Sequence, residues 1–172
     1  MAGCQSSTLE TKSKLAIFMK KNGKIYFKSN SFTELIPIVI LFKALGCEQD
    51  QEIFQMIGTE EYIKENLFLS FHDSIQYNIV TQENALEFIG KRYKQIKDFK
   101  YNKKKPEDEA RDFMTNIMLC HIRCKKFDFQ PKITYLALMV RRLLLGMKDI
   151  TLMNDKDYYG NKRIEAAGYM IG

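Results

Sequence analysis

The sequence predicts an α+β domain, predominantly helical, with helices packed round a central apolar helix and a β-hairpin near the N-terminus. Three observations carry this. Within residues 132–147, Ile133, Leu136, Ala137, Val140, Leu143, Leu144 and Met147 recur at i, i+3, i+4 and i+7, which is one face of an α-helix. Tyr135, Leu138, Met139 and Leu145 make most of its opposite side apolar as well, the mark of a helix buried on several sides. Second, Asn22-Gly23 stands between two runs of alternating character, a short-range hairpin signal. Third, proline, glycine and acidic residues punctuate the remaining apolar runs where helices begin and end.

In chain order, residues 1–13 are polar and expected to be an irregular lead-in or an added start, with 14–172 forming a single domain excised from a longer chain. Residues 14–20 and 24–28 are the hairpin strands. Both turn residues, Asn22 and Gly23, are expected at positive φ. Leu15, Ile17 and Met19 alternate with Ala16, Phe18 and Lys20, giving the hairpin one core face and a basic outer edge. Pro37 at a first helical position and Gly46 just past the end bracket a helix over 38–45, although Ile38, Val39 and Ile40 leave a buried strand open. Asp50 caps a helix to Ile57, stopped by Gly58. Thr59 caps the next, where Glu60 and Glu61 favour the positive first turn; it carries Tyr62, Ile63, Leu67 and Phe71 and is expected to break near Ser70. Thr81 caps a helix to Tyr93 with Ala85, Leu86, Phe88 and Ile89 inward. Pro106, followed by Glu107, Asp108 and Glu109, starts another to about His121. With the central helix after Pro131, the total is about seven helices and one hairpin.

A chain of 172 residues fits one domain. Its 45% hydrophobic content supports a core, and 28% charged residues are ordinary for a soluble protein. The net charge of +6 (27 Lys+Arg minus 21 Asp+Glu) is a mild bias towards polyanions. Arg141 and Arg142 interrupt the longest apolar run before it reaches the roughly 20 residues of a membrane span. Four cysteines without a secretory leader read as reduced thiols in an intracellular compartment.

Residues 91–105 hold eight lysines and arginines against Asp98, with Tyr93, Phe99 and Tyr101 interleaved. That pattern suits either a nucleic-acid-binding loop or a solvated linker, the linker being the commoner case. Cys120, His121 and Cys124 suggest zinc, yet a structural site wants four ligands; packed thiols beside a helix end are the expectation. Spacing singles out no nucleophile–base pair, paired carboxylates or Gly-rich phosphate loop, so this stretch is expected to be catalytically inactive. In residues 154–168, Asp155 and Asp157 precede Gly160, which permits a tight bend, and Lys162 and Arg163 open a helix. Either the aspartates neutralise Lys156, Lys162 or Arg163 and pin the bend, or Lys162 and Arg163 face phosphates.

This last segment closely resembles a signature of the second-largest subunit of multisubunit RNA polymerases. Ile36-Pro37-Ile38-Val39-Ile40-Leu41-Phe42-Lys43-Ala44-Leu45-Gly46 resembles a second block of that family. Gln55-Met56-Ile57-Gly58-Thr59-Glu60-Glu61, Ala85-Leu86-Glu87-Phe88-Ile89-Gly90, Met139-Val140-Arg141-Arg142 and Tyr158-Tyr159 are most similar to its RNA polymerase III branch. The resemblance implies the lobe, the subunit's second domain, and hence a non-catalytic part of a nuclear nucleotidyltransferase. It implies one wall of the downstream DNA cleft, weak contact with duplex DNA, and neighbours including the largest subunit, a TFIIF-like heterodimer and a small zinc-ribbon subunit. Magnesium and structural zinc are implied for the whole polymerase and no cofactor for this stretch. DNA-facing candidates are Lys156, Lys162, Arg163, Arg141 and Arg142, with Asp155, Asp157 and Gly160 shaping the turn. Asn154 stands where the family usually has aspartate and Lys156 where it has arginine; lysine keeps the charge but loses the planar fork. As a domain inserted into another, it should have its ends close together.

Overall fold

The computed structural model describes residues 1–8, 12–93, 105–124 and 128–149. Four antiparallel strands form a meander in the order β1 (Ala2–Ser7), β2 (Lys12–Met19), β3 (Ile25–Ser29) and β4 (Ile36–Pro37). Six α-helices follow among the described residues: α1 (Ile38–Leu45), α2 (Asp50–Ile57), α3 (Glu61–Gln76), α4 (Gln82–Arg92), α5 (Pro106–Asp112) and α6 (Gln130–Lys148). A π-helical turn, Phe113–Ile117, continues α5. The fold is α+β and mostly helical, as the sequence predicts.

The irregular lead-in expected before residue 14 is corrected. Ala2–Ser7 is a strand paired with β2 from Ala2↔Ile17 to Ser7↔Lys12. Its apolar alternation is only Ala2 and Cys4, both packed on the core, and the rest of its place is set by polar partners. Cys4 Sγ lies 3.5 Å from the Tyr135 hydroxyl of α6, and Ser6 Oγ 2.9 Å from Ser13 Oγ.

The hairpin forms with a different turn from the one expected. Gly23 N–H donates to Lys20 O and Lys20 N–H to Lys24 O, both at 3.0 Å. Gly23 has φ +77, whereas Asn22 is not among the described residues with positive φ. This is a three-residue loop with its glycine at the left-handed position. Asn22 instead accepts the Lys24 N–H on Oδ1 at 3.2 Å, the local bonding for which asparagine is favoured in turns.

Local chemistry sets the bounds of α1. Pro37 (φ −59, ψ 135) ends β4 and precedes the first helical residue rather than occupying it. At the other end Gly46 has φ +117, with its N–H on Lys43 O and the Cys47 N–H on Phe42 O, so a left-handed residue satisfies carbonyls the helix leaves open. All eight residues of α1 are buried, Lys43 included; its ammonium reaches Ile79 O and Asp50, each at 3.3 Å. Helices α3 and α4 and strands β3 and β4 surround it.

Helix α6 packs against α2, α3, β1 and β2 through Ile133, Leu136, Ala137, Val140 and Leu144, while Leu138 and Met147 are exposed. The central place expected for it is shared with α1, the helix enclosed on every side.

Helix α3 does not break at Ser70. It runs to Gln76 because Ser70 Oγ takes the Ile25 N–H of β3 at 3.0 Å instead of competing for its own backbone. Nor do Asp50 and Thr59 supply the side-chain caps expected for α2 and α3: the capping positions are Gln49 and Glu60, neither with a side-chain cap bond. Thr81 does cap α4, accepting Asn84 N–H at 3.4 Å. The helix expected from Pro106 to about His121 ends at Ile117; the Met118 N–H bonds Phe113 O, five residues back, at 2.9 Å, and Leu119 turns to φ +49.

Candidate functional site

Of the DNA-facing candidates, Arg141 and Arg142 are described, on consecutive positions of α6. Lys156, Lys162, Arg163, Asp155, Asp157 and Gly160 lie outside the described residues, as do 94–104 of the basic 91–105 run and the C-terminal end whose proximity to residue 1 was expected. The Arg141 guanidinium donates to Ile57 O at 3.4 Å and to Glu60 Oε1 at 2.7 Å. It sits over Gly58, where an added Cβ would stand 3.2 Å from Nη1. Arg141 therefore ties α6 to the junction of α2 and α3, whereas Arg142 is exposed.

Cys120, His121 and Cys124 turn towards different neighbours. Cys120 is buried with Sγ 3.3 Å from Ser6 Oγ, and the exposed His121 sets its ring edge-on to Tyr135. Among the described residues no three His, Cys, Asp or Glu gather as a metal site would require. None of the four cysteines is in a disulfide, and burial pushes the Cys47 thiol up to about 11.

Sequence reading passed over Lys132, the first residue of the central apolar run. Its side chain is wholly buried, and its ammonium donates to Met114 O at 2.6 Å, Thr115 O at 2.8 Å and Met118 O at 2.7 Å. Those are carbonyls that the π-turn leaves without helical partners. An ammonium has three N–H groups, so three carbonyls match it fully. Burial lowers its pKa below the ordinary 10.5. The only signal in the sequence was a lysine one residue ahead of Ile133 in an apolar stripe.

A second buried polar contact ties the hairpin to α3. Lys24 pairs with Asp73, whose carboxylate also faces Tyr26. The hydrogen bond to Asp73 raises the Lys24 pKa above 10.5, and burial followed by the Asp73 charge raises Tyr26 above 10.0. For both groups the folded chain holds the proton more tightly than the unfolded one. Their stabilisation is therefore complete below pH 10 and is lost as pH rises through the raised values. Urea unfolding between pH 9 and 12 should show a fall beginning near pH 10 that is shallower in Lys24→Met; identical pH profiles for the two chains would contradict this.

Among the described residues no helix is long and apolar enough to cross a membrane. The described residues thus make a helical α+β domain whose Arg141, Lys132 and Lys24 are engaged in internal contacts. The chain belongs to the family described as RNA polymerase Rpb2, domain 2, which matches residues 2–165, and so is a domain of the second-largest polymerase subunit. It is 40% identical over 99% of its length to DNA-directed RNA polymerase III subunit RPC2 of Schizosaccharomyces pombe and 40% identical over 98% to that of Drosophila melanogaster. Against DNA-directed RNA polymerase II subunit 2 of Arabidopsis thaliana it is 32% identical over 80% of its length. The chain covers 15%, 15% and 11% of these three relatives.

Proposed function

We propose that this chain is the lobe of the second-largest subunit of a nuclear RNA polymerase III, a non-catalytic wall beside the downstream DNA that also docks other subunits. The observation that carries the reading is the higher and longer identity to polymerase III subunits than to the polymerase II subunit. Lys156, Lys162, Arg163 and Arg142 are the side chains proposed to face the duplex, with Asp155, Asp157 and Gly160 shaping the bend that presents them. The largest subunit, a TFIIF-like heterodimer and a small zinc-ribbon subunit are the proposed neighbours. Magnesium chemistry and structural zinc are assigned to other parts of the polymerase, and this chain's share is to position and dock.

The chain should bind duplex DNA weakly, without sequence preference, and progressively less as salt rises, because phosphate contacts release counterions. Charge reversal of Lys162 and Arg163 should reduce this binding in a fluorescence-anisotropy titration while leaving capture of the heterodimer intact. Tight, salt-insensitive binding, or equal loss of both activities, would count against it. A second reading, a platform for protein contacts alone, is favoured by Arg141, whose guanidinium is already engaged with Ile57 and Glu60. Under that reading reversal at Lys162 and Arg163 leaves DNA contact in assembled polymerase unchanged.

A further inference from the structure

Among the described residues the sheet has one face covered by helices and one open. Leu15, Ile17, Ile25 and Phe27 are buried, with α1 and α6 packed on the strands that carry them. Side chains alternate along a strand, so Lys12, Lys14 and Phe18 of β2, Lys20 just after it, and Tyr26 and Lys28 of β3 share the outer side. The register sets Phe18 opposite Tyr26, and Ala16 opposite Lys28 and Gly3. The four lysines are exposed, and the two aromatic rings are half-buried with centroids 6.4 Å apart. Lys20 Nζ stands 4.4 Å from the Tyr26 ring centroid. No acidic residue occurs anywhere from position 12 to 33, a stretch with six lysines; among the described residues Lys24 is the one of them paired with an acid, Asp73, whose carboxylate also faces Tyr26.

We infer that this outer sheet face binds single-stranded nucleic acid, its lysines following the phosphates and its Phe18–Tyr26 pair offering a platform for bases. Charge complementarity calls for a polyanion, and the central aromatic pair distinguishes among polyanions. Duplex DNA keeps its bases stacked inside and gives the rings nothing to pack on, and an acidic peptide would use the lysines alone. An unpaired strand uses both, since every base has a face that stacks on an aromatic ring. The inference rests on this face alone and stands or falls independently of the polymerase III assignment and of Lys162 and Arg163.

The test is fluorescence anisotropy on the 172-residue chain with a labelled oligothymidylate of about 20 nucleotides, long enough for a typical binding face, beside a duplex of the same length and an oligoglutamate competitor. The oligothymidylate should bind more tightly than the duplex and resist oligoglutamate at equal charge. Lys14→Glu combined with Lys28→Glu should weaken it at least about tenfold and flatten its salt dependence. Phe18→Ala should weaken it about fivefold or more, as loss of one stacking ring does, with the salt dependence unchanged. Phe18→Leu keeps the apolar bulk without the ring and should show the same loss, which separates stacking from folding. Equal or tighter duplex binding, displacement by oligoglutamate at equal charge, or full affinity in the lysine variant would overturn the inference. So would full affinity in Phe18→Leu.

Discussion

Replacing Lys132 with methionine is expected to destabilise the domain by about 3 kcal/mol or more, since each buried carbonyl left without a donor costs about 1–3 kcal/mol. Three carbonyls, of Met114, Thr115 and Met118, lose their donor at once. Part of that loss is returned because a buried ammonium is itself costly to desolvate, and methionine fills a similar volume. The carbonyls still win, because nothing on the substituted side chain can donate to them. The total stability of a domain is only about 5–15 kcal/mol, so the variant should be close to unfolding. Urea denaturation measures the difference directly; a loss under about 1 kcal/mol, the worth of one ordinary hydrogen bond, would show that the three bonds do not hold the turn. The same substitution should loosen the π-turn first, seen as faster amide exchange at Met118, whose N–H closes it onto Phe113.

Gly90→Ala should be the second severe change. A Cβ there would lie 2.0 Å from Pro106 O, 2.4 Å from its carbonyl carbon and 2.8 Å from its Cα. These are backbone atoms at the start of α5, so no side chain can swing away. Alanine would gain roughly 1 kcal/mol of helix propensity over glycine in α4, yet separating two packed helices costs about 1–3 kcal/mol, occasionally more. At 2.0 Å the upper end applies, and the net should be a loss of about 2 kcal/mol, lowering Tm by about 4–8 °C in a chain of this size. Gly3→Ala is the matched control, because its nearest non-neighbouring atom is Leu15 O at 3.8 Å and a surface change usually moves stability by less than about 0.5 kcal/mol. If Gly90→Ala melts with the control, the close approach of α4 to α5 is not what places them.

Arg141 shows why the candidate site was harder to read than the elements around it. In the sequence it is one of two adjacent arginines that look equally available. In the fold Arg141 meets Glu60, 81 positions earlier, and Arg142 remains exposed. No pattern within α6 distinguishes them. The alternating apolar residues of β2 did reveal its core face, and with it a basic outer side. That this side is an open face with Phe18 opposite Tyr26 required the register.

By itself the sequence determined what is decided within about one helical turn. Pro37 and Gly46 bound α1, Thr81 starts α4, Pro106 and its acids start α5, and Asn22-Gly23 closes the hairpin, because caps and turns bond groups only a few residues away. Only the tertiary structure decided the strand identity of Ala2–Ser7, the uninterrupted course of α3 past Ser70, the π-turn and the burial of Lys132. The Ser70 hydroxyl binds Ile25, 45 positions away, and the Lys132 ammonium binds Met114, 18 positions away. The physical reason is common to all four: a polar group can be buried only where a partner satisfies it, and here the partners come from distant parts of the chain.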